Sequence, residues 1–185
     1  MSFIEIKNLT KSYQSGKTTV NALCGIDLNI ERGEYCCIIG PSGAGKSTLL
    51  NIIGLLDSPT SGELYFDNKA IHVLKDKELH RFRRKRISFI FQSFNLVPVL
   101  NVYENIEFPL LIQGFDKAER KERIKRLTEE VGIDSYLKRK PDELSGGQKQ
   151  RVAITRALVT NPEVVLADEP TANLDSVTGN TILTL

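Results

Sequence analysis

The stretch "GPSGAGKST", residues 40–48, constrains this chain more than any other. Directly before it lies "EYCCIIG" (34–40), whose second half, Cys36 to Ile39, is continuously apolar. Directly after it, Leu49, Ile52, Ile53 and Leu56 recur at i, i+3, i+4 and i+7. The first run predicts a strand buried on both faces of a parallel sheet. The second predicts a helix with one apolar stripe, starting near Lys46. Strand, glycine-rich turn and helix in that order belong to an α/β class. The eight residues Gly40, Pro41, Ser42, Gly43, Ala44, Gly45, Lys46 and Ser47 fit G-x-x-x-x-G-K-[ST], and Thr48 follows directly. Gly40, Gly43 and Gly45 let the backbone curl so that its N–H groups face inward on phosphate oxygens. The helix start adds the positive end of its dipole. Lys46 then acts as a point charge on the β- and γ-phosphates, and the Ser47 hydroxyl is a ligand for Mg²⁺.

Around this centre the chain reads as follows. "FIEIKN", "TTVNAL" and "IDLNI" are short strands, separated by breaks at Ser15-Gly16 and Cys24-Gly25. "DSPTSGE" is turn chemistry that ends the first helix. "DKAERKERIKRLTEEVGI" is a charged amphipathic helix with Ile124, Leu127 and Val131 on one stripe. A further helix stops before Asn161-Pro162, and "EVVLADEP" returns to a buried strand from Val164 to Ala167 that ends in acids. The expected division is an α/β core over 1–92 and 161–185, with a mostly helical insertion over 93–160, all within one domain of 185 residues.

The acids complete the chemistry. Asp168, at the carboxyl end of its strand, is a candidate Mg²⁺ ligand through water. Glu169 is a candidate general base for the attacking water. Gln92, in "FIFQSFN", also follows an apolar run and suits contact with Mg²⁺ or the attacking water. Tyr13, in "KSYQSG", is either a base-stacking ring or a half-buried strand aromatic.

"LSGGQ", residues 144–148, is a second glycine-rich helix entrance. Ser145 occupies the N-cap position, with Gly146 and Gly147 in the first turn. Two glycines there weaken the helix by roughly 1 kcal/mol each relative to Ala, so close approach of a ligand is the better rationale. One nucleotide already has its phosphates cradled by residues 40–47. A second cradle makes sense if it serves the nucleotide held by another copy, with two ATP molecules sandwiched head to tail.

Taken in order, "GPSGAGKST", Gln92, "LSGGQKQR", "VVLADEP" and "NLD" resemble the ATP-binding subunit of an ABC transporter across residues 3–180. "RKRISFIFQSFNLVPVLNVYENIEFPL" is similar to the branch serving lipoprotein release, macrolide export and antimicrobial-peptide efflux or sensing. The resemblance implies a P-loop NTPase core sheet, an N-terminal antiparallel β subdomain and a helical insertion carrying the signature motif. It makes Tyr13 the adenine-stacking aromatic and Gln92 the γ-phosphate sensor. Ser145, Gly146, Gly147 and Gln148 reach the partner's γ-phosphate. Asp168 and Glu169 become the metal and base acids, and Asp175 belongs to a loop crossing the dimer seam. ATP and Mg²⁺ are the implied cofactors. The implied partners are a second copy, through the ATP sandwich, and an integral membrane permease, placing the chain at the cytoplasmic face of the cell membrane.

In this family a histidine further downstream contacts the γ-phosphate, and the chain ends at Leu185 before that position. His72 and His80 read as surface residues that do not replace it. The expectation is therefore a C-terminally truncated chain with an exposed sheet edge, retaining nucleotide binding but hydrolysing poorly. The alternatives are an ATP-binding remnant, or an ATPase of the DNA-repair type. The second is disfavoured because those carry long coiled-coil insertions.

Bulk properties narrow the field further. A net charge of +2 is too weak to argue for nucleic acid. The basic run "RFRRKR" (81–86) reads as a solvated helix face. Cys24, Cys36 and Cys37 lack metal-type spacing and read as reduced, partly buried residues. No apolar run approaches the roughly 18 residues of a membrane span. "SFNLVPVLNVYENI" offers Phe94, Leu96, Val97, Val99 and Leu100 as apolar surface for the membrane partner.

Overall fold

The architecture comes from a computed structural model, which describes residues 2–16 and 18–171. The chain divides into two compact units, 1–83 and 84–185.

In the first unit, β1 (Ser2–Ser15) and β2 (Thr18–Glu31) form a long antiparallel pair turning at Gly16. β3 (Ser61–Phe66) pairs antiparallel with the other edge of β1, and the short β4 (Lys69–Ala70) follows it, giving the order β2-β1-β3-β4. The expected antiparallel β subdomain is therefore present. The two short strands expected on either side of Cys24-Gly25 are one strand with a bulge. Gly25, at φ 87°, takes up the extra residue there, and a Cβ on it would lie 2.9 Å from Asn8 Oδ1. Helix α1 (Lys46–Ile53) buries Leu49, Ile52 and Ile53. α2 (Asp76–Arg86) buries Phe82, whose ring lies 5.4 Å from that of Phe66.

The second unit holds β5 (Ile87–Ile90) and β6 (Val164–Ala167), paired in parallel with Ile90 opposite Ala167. Between them run α3 (Val102–Gln113), α4 (Lys117–Val131) and α5 (Gly146–Leu158). Their starts are set by side-chain caps. Asn101 and Glu104 form a reciprocal capping box on α3, and Asp116 accepts from two backbone amides of α4. Gly114 and Gly132 end the same helices in the left-handed conformation. Val102, Ile106, Leu110, Ile124, Ile133 and Val152 make a separate helical core. α5 also packs Ile154 and Ala157 against Ile90 of β5.

Four expectations are corrected. Residues 34–40 form no strand: the backbone is irregular, and Tyr35 and Ile39 are 88% and 89% exposed. An apolar run shows only that a segment suits burial, whereas a strand also needs neighbours. Among the described residues β5 pairs with β6, and 34–40 pairs with nothing. For the same reason Cys36 and Cys37 are exposed rather than partly buried, and Cys24 is exposed on the bulged strand. The stripe on α1 stops at Ile53, because Gly54 caps the helix and Leu55 turns to φ 57°, leaving Leu56 exposed. In β6 only Leu166 is buried, while Val165 is 40% exposed.

The basic run is only in part a solvated face. Arg83 donates to Leu55 O at 2.6 Å, and Arg86 pairs with Glu163. Arg81, Arg84 and Lys85 are exposed, as are His72 and His80.

Candidate nucleotide site

In the first unit the glycine-rich loop takes the shape its composition demands. Gly43 and Gly45 sit at φ 80° and 84°. Gly45 is the N-cap of α1, in left-handed conformation, and supplies no side-chain cap to the helix start. A Cβ on Gly45 would lie 2.4 Å from Ala22 O and 2.9 Å from Leu23 Cδ2 of β2. The β1–β2 register skips Ala22, so this bulge brings β2 backbone against the loop. Lys46 folds its ammonium back over the loop, donating to Gly40 O at 2.9 Å and Pro41 O at 3.0 Å. Carbonyl oxygens thus hold the cation in the concavity where stronger anionic acceptors would take it over. The loop itself is exposed from Gly40 to Ala44.

Tyr13 lies in the same unit, on β1 opposite Val20. It is 39% exposed, and its hydroxyl donates to Asp57 Oδ2 at 2.7 Å. Neither Asp57 nor the neighbouring Lys11 was singled out by sequence. "DSPTSGE" carries only a turn signal, and nothing local announces a partner 46 residues upstream.

In the second unit, three predicted residues follow the same end of the parallel pair. The Asp168 amide donates to Ile90 O at 3.0 Å, extending the β5–β6 ladder by one step. Gln92 follows Ile90 by two residues, so Gln92, Asp168 and Glu169 all emerge at the carboxyl end of the parallel pair. Glu169 has φ 46°, a strained setting for a residue with a Cβ and one typical of functional sites.

The second glycine-rich entrance is also built as expected. Ser145 accepts from the Gln148 amide, and Gln148 Oε1 accepts from the Ser145 amide at 2.9 Å. This reciprocal box starts α5 in spite of Gly146 and Gly147. Asp175 lies outside the described residues.

Arg156, in the last turn of α5, is a further residue of this region. It donates to Phe94 O at 2.8 Å and Asn95 O at 2.6 Å. Phe94 and Asn95 are both left-handed, at φ 61° and 48°, in the turn that follows Gln92. Burial pushes the guanidinium below its usual range. The helix that begins with Ser145 is thus tied by one cation to the turn that carries Gln92. Arg156→Met is expected to lower stability by about 2–3 kcal/mol, because two carbonyls lose a charged donor. Urea unfolding measures this, and a loss below about 0.5 kcal/mol would show that the turn holds without the tie.

Residues 23–172 match the ABC transporter family. This chain belongs to that family. It is 46% identical to the lipoprotein-releasing system ATP-binding protein LolD of Syntrophotalea carbinolica, over 100% of this chain and 81% of LolD. It is also 46% identical to the macrolide export ATP-binding/permease protein MacB of Mannheimia succiniciproducens, over 99% of this chain but 28% of MacB. Among solved structures, a dimeric post-hydrolysis state of the ATP-binding cassette MJ0796 bound to ADP and Pi, from Methanocaldococcus jannaschii, superposes with TM-score 0.90. That match has 47% identity and covers 98% of this chain and 80% of the other.

Proposed function

We propose that this chain is the ATP-binding and ATP-hydrolysing subunit of a transporter whose membrane permease is a separate polypeptide. The observation that carries this reading is the carboxyl edge of β5–β6, where Gln92, Asp168 and a strained Glu169 emerge together. Residues 40–48 cradle the triphosphate and Lys46 neutralises its charge. Tyr13 stacks on the adenine. Ser145, Gly146, Gly147 and Gln148 serve the nucleotide of a second copy, with Asp175 at the seam. The hydroxyl of Ser47, the carboxylate of Asp168 and the amide oxygen of Gln92 are hard oxygen donors of the kind Mg²⁺ prefers. When bound, the ion supplies charge neutralisation at the phosphates. Glu169 takes the proton of the attacking water.

The α/β core over 1–92 and 161–185 and the helical arm over 93–160 are the proposed working parts. The arm has its own hydrophobic core, which suits rigid movement. Among the described residues no helix is long and apolar enough to cross a membrane. A peripheral position at the cytoplasmic face follows from docking on the permease. LolD and MacB, by their names, serve lipoprotein release and macrolide export, and the substrate proposed here is of that kind, a lipoprotein, drug or peptide.

Mg-ATP binding and steady-state ATPase activity of the whole chain test the reading. Lys46→Ala is expected to abolish both. Binding that survives this change would remove the phosphate loop from the site.

We propose that the permease docks on the second unit. Val97 and Val99 after Gln92, and Phe108, Leu111 and Ile112 on α3, are exposed large apolar residues. Leu96 instead packs on the helical core, so charging it would unfold the arm rather than test docking. Val99, 76% exposed, is the better probe. Val99→Asp is expected to abolish permease co-purification while ATP binding stays within about twofold, since a surface change of this kind leaves stability within about 0.5 kcal/mol. Co-purification that persists would move the docking surface elsewhere.

A further inference from the structure

The ring of Tyr13 is held by a small charged cluster that the sequence motifs leave out. Lys11 and Tyr13 stand two residues apart on β1 and so share a face. The Lys11 ammonium lies 4.8 Å from the centroid of the Tyr13 ring. It also donates to Asp57 Oδ1 at 2.6 Å and to Ser58 O at 2.7 Å. Asp57 Oδ2 accepts from the Tyr13 hydroxyl at 2.7 Å, and the Ser58 amide donates to Asp57 Oδ1 at 2.7 Å. One carboxylate thereby fixes both ends of the arrangement: the phenol by its hydroxyl and the cation over the ring. Lys11 keeps only 13% of its side chain exposed, so the cation is not a freely moving surface charge.

Burial works against charge on Asp57. The bonds from Lys11, Tyr13 and Ser58 nevertheless hold its carboxyl below the usual range. It is therefore an acceptor at neutral pH, and the Tyr13 hydroxyl is the donor. A phenol so oriented cannot rotate off its hydrogen bond without leaving a partly buried carboxylate short of a donor. With an ammonium over it the ring is electron-poor, and at 39% exposure Tyr13 keeps accessible surface for a stacking partner. An electron-rich purine suits that surface.

We infer that Asp57 and Lys11 are positioning residues for nucleotide binding: they lock Tyr13 with a cation over the ring and leave its accessible surface for the nucleobase. The inference rests on the reading of Tyr13 as the base-stacking residue. It adds that the stacking geometry is built into the protein before nucleotide arrives, by residues that touch neither base nor phosphate. The contribution of the lock is confined to the base, because the phosphates are handled by residues 40–48.

The test is a pair of titrations on the whole chain, one with ATP and one with inorganic tripolyphosphate, which has no base to stack. Tyr13→Phe removes the hydroxyl and keeps the ring. Asp57→Ala removes the acceptor. Each is expected to weaken ATP binding about three- to tenfold, the range for an aromatic contact. The double variant should be no weaker than the weaker single one, since both break the same bond. Tripolyphosphate binding should not change in either. Tyr13→Phe is the milder variant, and it alone decides the matter if Asp57→Ala fails to fold. Unchanged ATP affinity in Tyr13→Ala would remove the stacking role and the inference with it. If Tyr13→Ala weakens ATP binding while Tyr13→Phe does not, the stacking role stands and the lock is overturned. Equal losses for ATP and tripolyphosphate would make the cluster a general support of the fold, which also overturns it.

Discussion

Glu169→Gln is expected to bind Mg-ATP as the parent chain does and to turn it over at least about a hundredfold more slowly, the lower end of what a positioned general base contributes. The change is nearly isosteric. The neighbouring Asp168 amide bond to Ile90 O is made by backbone and stays in place. What disappears is the carboxylate of the one acid in the pair that is held in left-handed backbone at the strand end. A backbone held at φ 46° on a residue with a Cβ stores on the order of 1 kcal/mol and persists only where the surroundings enforce it. Here the parallel ladder fixes the backbone immediately before Glu169, through the Asp168 amide on Ile90 O. Single-turnover hydrolysis of radiolabelled ATP measures the effect with no contribution from product release. Turnover within a few-fold of the parent would assign the proton to another group and leave the strain at Glu169 without a chemical purpose.

Which features of this molecule could be read from sequence depends on how far apart their parts lie along the chain. The Ser145–Gln148 box closes over three residues, and the left-handed glycines of the phosphate loop answer to local sterics. Both were legible. The amphipathic stripe of α4 was legible too, with Ile124 and Val131 buried as its spacing requires. Residues 34–40 were misread because apolar character is local whereas strand pairing is not. The same limit hid the Lys11–Asp57 pair, 46 residues apart, and the Arg156 tie to Asn95, 61 residues apart. In each of these a polar side chain looks ordinary in its own neighbourhood and acquires its role from a distant carbonyl or carboxylate. The family resemblance points to the motifs and is silent on these supports.

The two glycines inside the phosphate loop should respond very differently to the same substitution. Gly43 and Gly45 are both left-handed, so an added Cβ strains either by about 1–2 kcal/mol. At Gly43 nothing lies within 4 Å of the new atom, and Gly43→Ala is expected to stop at that figure. At Gly45 the new methyl meets the Ala22 carbonyl at 2.4 Å, a contact that only movement of backbone can relieve. Ala22 sits in the β2 bulge, between pairs of the β1–β2 ladder, and the loop on the other side is anchored by α1. Neither can yield without breaking hydrogen bonds, so Gly45→Ala is expected to cost about 3–5 kcal/mol in all, the tail of single-substitution effects. It should also abolish binding of tripolyphosphate, because displacing the N-cap turns the α1 amides away from the concavity. Urea unfolding with and without tripolyphosphate distinguishes the two variants. Equal, small losses at both positions would mean that the β2 bulge moves freely, and that the loop is shaped by its own glycines and not by the sheet beside it.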